Sequence, residues 1–303
     1  MFRVPHPIPY QGSKRRLAPI ILGCVPERIE CLIEPFAGSA AVTLAAAARG
    51  LARRFVIGES LKPLASLWEM ILRQPERLAN EYESIWRDQA GNTKEHYFQI
   101  REEFNRGHDP GRLLYLLARC VKASVRFNSK GEFNQSPDNR RKGTHPDTMR
   151  FHILSAAKLL SGKCEVWSGD YAYLLNRATY GDLVYMDPPY QGVSDGRDSR
   201  YFEQLDIARF VRELEALNER NINYLISLDG KCGSRTYGRE LPGHLQLTRL
   251  LVEVGRSSQS TLTGRSERTV ESLYLSSAIA KRLQINPAYI HVKPPQKQLA
   301  MEF

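Results

Sequence analysis

Four consecutive residues, Asp187-Pro188-Pro189-Tyr190, close the stretch GDLVYMDPPYQG and set a carboxylate, two prolines and an aromatic ring at the end of an apolar run. Leu183-Val184-Tyr185-Met186 reads as a strand buried on both faces. Proline lacks a backbone N–H, so a Pro-Pro pair can serve simply to stop a strand. That reading explains the prolines and leaves Asp187 and Tyr190 to chance. A second reading uses all four residues. Asp187 and the Pro188 carbonyl present two neighbouring acceptors on a stiff backbone, which suits an amino group with two N–H donors, such as an exocyclic base amine. Tyr190 offers a face on which a planar ring can stack.

A second constellation lies near the N-terminus. EPFAGSA puts Gly38 and small neighbours in a turn before a helix, where a ligand can approach the backbone and the helix N-terminus. G-x-G-x-x-G and G-K-[ST] are both absent, so neither a dinucleotide fingerprint nor a P-loop is present. Glu59 follows 21 residues after Gly38, at the end of a second short strand, where an acid can accept from two ribose hydroxyls. A nucleoside with no demand for phosphate binding fits this pair, and S-adenosylmethionine is the candidate. The plain alternative is a packing glycine and a surface glutamate. Upstream, PYQGSKRRL adds a Gly-Ser-Lys turn in which Lys14 can reach a carboxylate and Tyr10 can cover an adenosine.

The elements that must position these groups alternate. ECLIEPFAGSAAVTLAAAARG is strand, turn and helix, with Gly50 as a helix C-cap, and RRFVIGES is a second strand. From Leu61 to about Phe127 the pattern is helical, punctuated at Pro75, Gly91-Asn92 and Asp109-Pro110-Gly111. After a polar stretch and the helix TMRFHILSAAKLLSG, alternation resumes with CEVWSGD, the strand into DPPY, the helix LDIARFVRELEALNERN and the strand INYLISLDG. LQLTRLLVEVG and RTVESLYLSS read as two last strands joined by a basic loop, and the tail with Pro294-Pro295 reads as loosely ordered. Alternation on both sides of a helical block predicts an α/β fold, a mostly parallel sheet interrupted by a helical insertion. Ligands of such sheets bind at the carboxyl ends of the strands, where Glu34 to Gly38, Glu59, Asp170 and Asp187 to Tyr190 all fall.

Composition sets outer limits. The chain has 303 residues, a net charge of +10 and a pI near 9.4, which favours a polyanionic partner. No segment approaches the ~20 apolar residues of a membrane span, and the start carries prolines where a signal peptide needs an apolar helix, so a cytoplasmic location is expected. Five cysteines, Cys24, Cys31, Cys120, Cys164 and Cys232, lack metal-binding or disulfide-frame spacing and are expected as reduced thiols.

From residue 8 to 276 these motifs, in this order, resemble the Dam-like, class alpha, N6-adenine-specific DNA methyltransferases. PYQGSKRRL is similar to the family's N-terminal cofactor motif, EPFAGSA to its first methyltransferase motif and GES to its acidic segment. VRFNSKGEFN resembles the end of its helical insertion, and SGDY with DPPY its catalytic half. The resemblance implies a Rossmann-like S-adenosylmethionine-dependent sheet at residues 1–60 and 160–280. It also implies an inserted helical DNA-recognition region at 61–159, followed by a tail at 281–303. It implies that Tyr10, Lys14, Phe36, Gly38, Glu59, Asp170 and Asp187 line the cofactor, with no metal. Asp187, Pro188, Pro189 and Tyr190 would hold a flipped-out adenine. Ala40 stands in place of the usual second glycine, and Leu61 where the family often has asparagine. The implied partner is double-stranded DNA, with room for a restriction endonuclease.

The segment Arg119 to Arg150 carries Arg119, Lys122, Arg126, Lys130, Arg140, Arg141, Lys142 and Arg150 against Glu132, Asp138 and Asp147. It reads either as a solvated loop or as a phosphate contact. Arg126, Asn128, Lys130, Asn134 and Arg140 to Lys142 are the expected DNA-binding residues, with residues 255–268 as a second candidate. Two other readings stand beside this one, an RNA base methyltransferase and a catalytically silent DNA-binding protein. The intact Asp187 to Tyr190 stretch argues against the second.

Overall fold

The computed structural model describes residues 3–25, 28–189, 205–232, 235–237, 240–256, 268–284 and 290–292. The expected alternation is present. Strands β1 (Ile29–Glu34), β2 (Ala52–Glu59), β3 (Cys164–Ser168), β4 (Leu183–Met186) and β5 (Asn223–Cys232) run parallel in the order β3-β2-β1-β4-β5. A short β6 (Arg235–Tyr237) folds back on β5. The sheet then continues through β8 (Arg268–Leu275), antiparallel to both β5 and β7 (Thr248–Arg256).

Two features differ from expectation. The tail contributes to the sheet, since β9 (Ile290–Val292) pairs parallel with β7. Three residues with no amphipathic pattern give no sequence signal, and their pairing comes from the open edge of β7. The helical run also stops early. It divides into α3 (Lys62–Arg73), α4 (Pro75–Asp88), α5 (Thr93–Gly107) and α6 (Pro110–Arg119), broken where Pro75, Gly91 and Pro110 stand. Cys120 bridges Pro137, a single 3-10 turn follows at Val121–Ala123, and further on Phe127 bridges Phe133. Val125, Phe127 and Phe133 pack on the core, so apolar spacing here records burial without helix.

Helix α1 (Ala18–Gly23) precedes the sheet, and α2 (Ala41–Arg49) crosses from β1 to β2, ending at Gly50 with φ +65°. The helix α7 (Pro146–Leu160) closes the helical block and returns the chain to β3. One apolar cluster runs without a break from the β1–β2 face through α2, α3 and α7 to Tyr82, Tyr97, Phe104 and Tyr115. The opposite face is covered by α8 (Tyr171–Arg177) and α9 (Ile207–Glu219), whose Leu174, Phe210 and Leu214 pack on Ile33, Val184 and Tyr224. Helix α10 (Ser277–Arg282) follows β8. Among the described residues no helix is long and apolar enough to cross a membrane, and no group of His, Cys, Asp and Glu could hold a metal ion. Cys24, Cys31, Cys120 and Cys164 are free thiols, with burial pushing each above its ordinary range.

Candidate active site

Strand order reverses between β1 and β4: from β1 the chain goes to β2 and β3 on one side, from β4 to β5 on the other. Such a switch point opens a crevice at the carboxyl ends of the two strands. Glu34 ends β1 on one side of it, and Asp187 follows β4 on the other.

The turn after β1 is tightly built. Gly38 has φ +51°, and a Cβ there would stand 3.0 Å from Cε1 of Tyr10, so only glycine lets the Tyr10 ring lie against this backbone. Ala40 also has a positive φ, +46°, and is fully buried, so its methyl fits where the turn leaves no room for more. Trp68 of α3 donates from its indole N–H to the Gly38 carbonyl at 2.8 Å. The two turns at the β1 and β2 ends are joined by Glu59, which accepts from Gly38 N–H at 3.2 Å and from Leu61 N–H at 3.0 Å. Burial pushes the Glu59 carboxyl above its ordinary value, with these backbone donors opposing. Gly58 just before it is dictated by packing, because a Cβ would meet Leu174 at 2.4 Å and the Pro35 backbone at 2.9 Å.

Glu34 is buried beneath the crevice. Its Oε2 accepts from the Thr43 N–H at 2.9 Å and the Thr43 hydroxyl at 2.6 Å, so it ties β1 to α2. Burial lifts its carboxyl to about 8, aided by the nearby Asp187 charge and opposed by Thr43.

Lys14 reaches the same crevice from the N-terminal segment. Its position is fixed by Ser13, whose hydroxyl lies 2.8 Å from that of Ser39, and by Gln11, which accepts from Ser124 and donates its N–H to the Ala123 carbonyl. The Lys14 side chain is only 7% exposed, and its ammonium stands 3.4 Å from Asp187 and 2.9 Å from Glu271 of β8. Pro188 is buried beside Asp187, and Pro189 is half-buried. Tyr190 lies outside the described residues.

Asp170 sits at the end of β3. It caps α8 by accepting from Ala172 N–H at 2.8 Å and takes a bidentate pair from Arg209 at 2.7 and 2.9 Å. Desolvation alone would raise its carboxyl, but the Arg209 and Ala172 donors prevail and lower it. Phe36, Tyr171 and Phe210 cluster beside it, with Phe36 and Tyr171 centroids 4.9 Å apart and Arg209 over Tyr171 at 5.4 Å. The Tyr171 hydroxyl is buried with no partner among the described residues. Asp170 is thus bound to Arg209 in this structure, which the sequence did not indicate.

Tyr10, Lys14, Gly38, Glu59 and Asp187 therefore gather along one edge, with Phe36 and Asp170 at its β3 end. The motifs missed Glu271, Glu34's tie to Thr43, Trp68 and Arg209. Glu271 had no signal in a search of strand ends, because β8 runs antiparallel and brings its beginning to this edge.

The proposed DNA-binding residues lie along 119–143. Asn128 organises its own hairpin: Oδ1 accepts from Lys130 N–H at 2.9 Å and Glu132 N–H at 3.0 Å, while its amide donates to Glu132 at 2.8 Å. Lys130, Asn134, Arg140, Arg141 and Lys142 are exposed, and Arg126 is half-buried. Arg119 is not available to a ligand. It is 2% exposed and donates to the carbonyls of Asp138 and Arg141 and to Gln89, so it anchors this segment from below. Arg150 is likewise held by Glu76, Asn80 and Glu83 of α4. Of the second candidate, residues 257–267 lie outside the described ones.

Residues 10–248 match the family described as D12 class N6 adenine-specific DNA methyltransferase. The chain is 28% identical over 268 residues to the DNA adenine methylase of Escherichia coli (strain K12), covering 86% of this chain and 89% of that protein. It is 28% identical over 255 residues to the DNA adenine methylase of Salmonella typhi, covering 81% and 86%. It is also 28% identical over 196 residues to the type II methyltransferase M1.LlaDCHI of Lactococcus lactis subsp. cremoris, covering 61% and 66%.

Proposed function

The chain belongs to the D12 class N6 adenine-specific DNA methyltransferase family, and from that premise we propose which of its residues perform the transfer. Asp187 and the Pro188 carbonyl accept the two N–H bonds of the adenine amino group, Pro189 stiffens that backbone, and Tyr190 stacks on the base. The observation that carries this reading is the place of Asp187, at the end of β4 and at the switch point, beside a buried lysine ammonium. A base inside a duplex cannot reach this crevice, so the adenine is extruded, and Tyr190 replaces part of the stacking it loses.

Adenine N6 is a weak nucleophile because its lone pair is delocalised into the ring. Hydrogen bonds to Asp187 and Pro188 favour a pyramidal, more nucleophilic nitrogen, and the carboxylate and carbonyl dipole stabilise the positive charge that grows on it. Much of the rate enhancement then comes from holding the amine in line with the methyl donor.

The residues fit S-adenosylmethionine. The turn at Gly38 brings its bare backbone against the Tyr10 ring, and the Tyr171 hydroxyl beside Phe36, buried with no partner among the described residues, suits a polar ligand edge. When bound, S-adenosylmethionine supplies a sulfonium methyl as the electrophile. Tyr10, Phe36 and Gly38 enclose the nucleoside, Glu59 accepts from its sugar, Lys14 and Asp187 meet its amino-acid end, and Asp170 lies near the adenine side.

Helices and loops from 61 to 159 form the target-recognition region. There Arg126, Lys130, Asn134, Arg140, Arg141 and Lys142 face double-stranded DNA, and Asn128 shapes the hairpin that presents them. The enzyme acts in the cytoplasm on double-stranded DNA. The deciding experiment incubates the protein with labelled S-adenosylmethionine and unmethylated duplex DNA, then digests the DNA to nucleosides. N6-methyl-2′-deoxyadenosine as the labelled product supports the reading. Label in cytosine, or none with DNA and some with RNA, overturns it.

A further inference from the structure

Glu271 stands outside every motif named above and outside residues 10–248, yet it lies closer to the Lys14 ammonium than Asp187 does, 2.9 against 3.4 Å. We propose that Glu271 is a positioning residue for methyl transfer, drawing the Lys14 ammonium off the Asp187 carboxylate so that Asp187 keeps an acceptor for the adenine amino group. This rests on the role given to Asp187 above.

The argument begins with burial. At 7% exposure, Lys14 can hold its charge only next to anionic partners. With Asp187 as the sole carboxylate, the ammonium would settle on it. It would occupy its lone pairs and cancel the negative charge that favours the cation forming on N6. Glu271 supplies a second carboxylate, so among the described pairs one ammonium is shared between two acids and lies nearer Glu271 than Asp187.

The fold holds Glu271 where this sharing needs it. Strand β8 lies between two partners, with Glu271 opposite Gly230 of β5 and Val252 of β7, so its backbone is fixed on both sides. An extra residue in β5 between Ser227 and Gly230 resets the register opposite Glu271, a local irregularity of the kind that re-aims side chains beside active sites. Gly230 permits the close approach, since a Cβ there would meet the Val270 carbonyl at 2.9 Å. The same stretch of β5 carries Ser227, whose hydroxyl lies 2.9 Å from that of Tyr185, the residue two before Asp187.

The test compares wild type with Glu271→Gln, Glu271→Asp, Lys14→Gln and the double variant Lys14→Gln/Glu271→Gln, using the full chain. Steady-state methylation of duplex DNA, calorimetric binding of S-adenosylmethionine and thermal melting are read for each. Glu271→Gln is expected to lower kcat about tenfold or more with the cofactor Kd and the DNA KM changed less than about threefold. Glu271→Asp should recover part of that loss, and the double variant should be no slower than Lys14→Gln alone, since without the ammonium Glu271 has nothing to withhold. The proposal is overturned if kcat is unchanged in Glu271→Gln. It is equally overturned if the loss tracks cofactor affinity or melting temperature in both Glu271 variants, or if the two single losses multiply. A wild type that forms no N6-methyl-2′-deoxyadenosine sinks the functional reading instead, whereas an active wild type with an indifferent Glu271→Gln sinks this proposal alone.

Discussion

Charge is handled in opposite ways at the carboxyl edge of the sheet and along residues 119–143. At the edge, Glu59 is tied to two backbone N–H groups and the buried Lys14 ammonium to two carboxylates. Along 119–143, Lys130, Arg140, Arg141 and Lys142 stand in water, and Arg141 keeps only a loose pair with Asp138 at 3.6 Å. A buried charge is tied to one geometry, so its loss removes a function outright. Exposed charges act as a sum that salt screens and no member dominates.

The contrast can be broken at either end, and the largest effect is expected at the edge. Asp187→Ala should reduce methyl transfer by at least about 10²–10³-fold, as for removal of a group that stabilises developing charge, with melting unchanged. Near-normal turnover would remove Asp187 from the chemistry.

Arg119 is the exception that sharpens the comparison, a peripheral residue treated as an edge residue is. Arg119→Ala leaves the Asp138 and Arg141 carbonyls without their donor, and a loss of about 2–4 kcal/mol in urea unfolding is expected from buried unsatisfied groups. A loss no larger than that of Arg141→Ala would show that burial makes no difference here. Next comes Glu59→Gln, whose amide can accept at only one of the two N–H groups. Cofactor affinity should fall about tenfold or more while non-specific DNA binding holds, and an unaltered calorimetric Kd would take Glu59 out of the site.

Titration separates buried groups further. With its carboxyl at about 8, folded Glu34 keeps a proton that the unfolded chain has released, so stability declines as pH rises from about 4.5 to 8. Glu34→Gln should flatten that decline between pH 6 and 8. His6 works with the reverse sign. Burial lowers it to about 3, the unfolded chain binds the proton first, and stability is lost as pH falls below about 6.5. Equal pH slopes of melting temperature in wild type and Glu34→Gln would remove Glu34 as the source. The smallest effects belong to Arg141→Ala and Lys142→Ala. Each should weaken cognate and scrambled duplexes alike by a few-fold and cut the salt slope by about one, and a selective loss on cognate DNA would make them base readers.

How much of this was legible depends on whether a residue's neighbours are close in sequence. The strand, turn and helix around Gly38, the Gly50 cap and the breaks at Pro75 and Pro110 follow from local chemistry, and the structure has them. Glu59 could be singled out in the sequence because it is an acid at the end of a parallel strand, the edge where such sheets bind ligands. Asn128 and Arg119 read as polar and basic, and nothing local says that one folds its own hairpin while the other lies beneath a loop. Such roles depend on contacts made across the fold. Asp170 carries the same lesson, since its partner Arg209 is 39 residues away. Strand β9 escaped because three residues hold no period to read.

The antiparallel insertion of β8 bears on the order of events during synthesis. Strands β5 and β7 both leave the ribosome before β8, yet neither pairs with the other, and each waits for the same late segment. Until Arg268 to Leu275 has emerged and slotted between them, the growing chain exposes two unsatisfied strand edges and lacks the carboxylate opposite Lys14. The joining of β5 to β7 and the completion of the charge cluster are therefore a single event, and β9 adds to the far edge of β7 afterwards. A nascent chain arrested before that event carries Asp187 and Lys14 without Glu271.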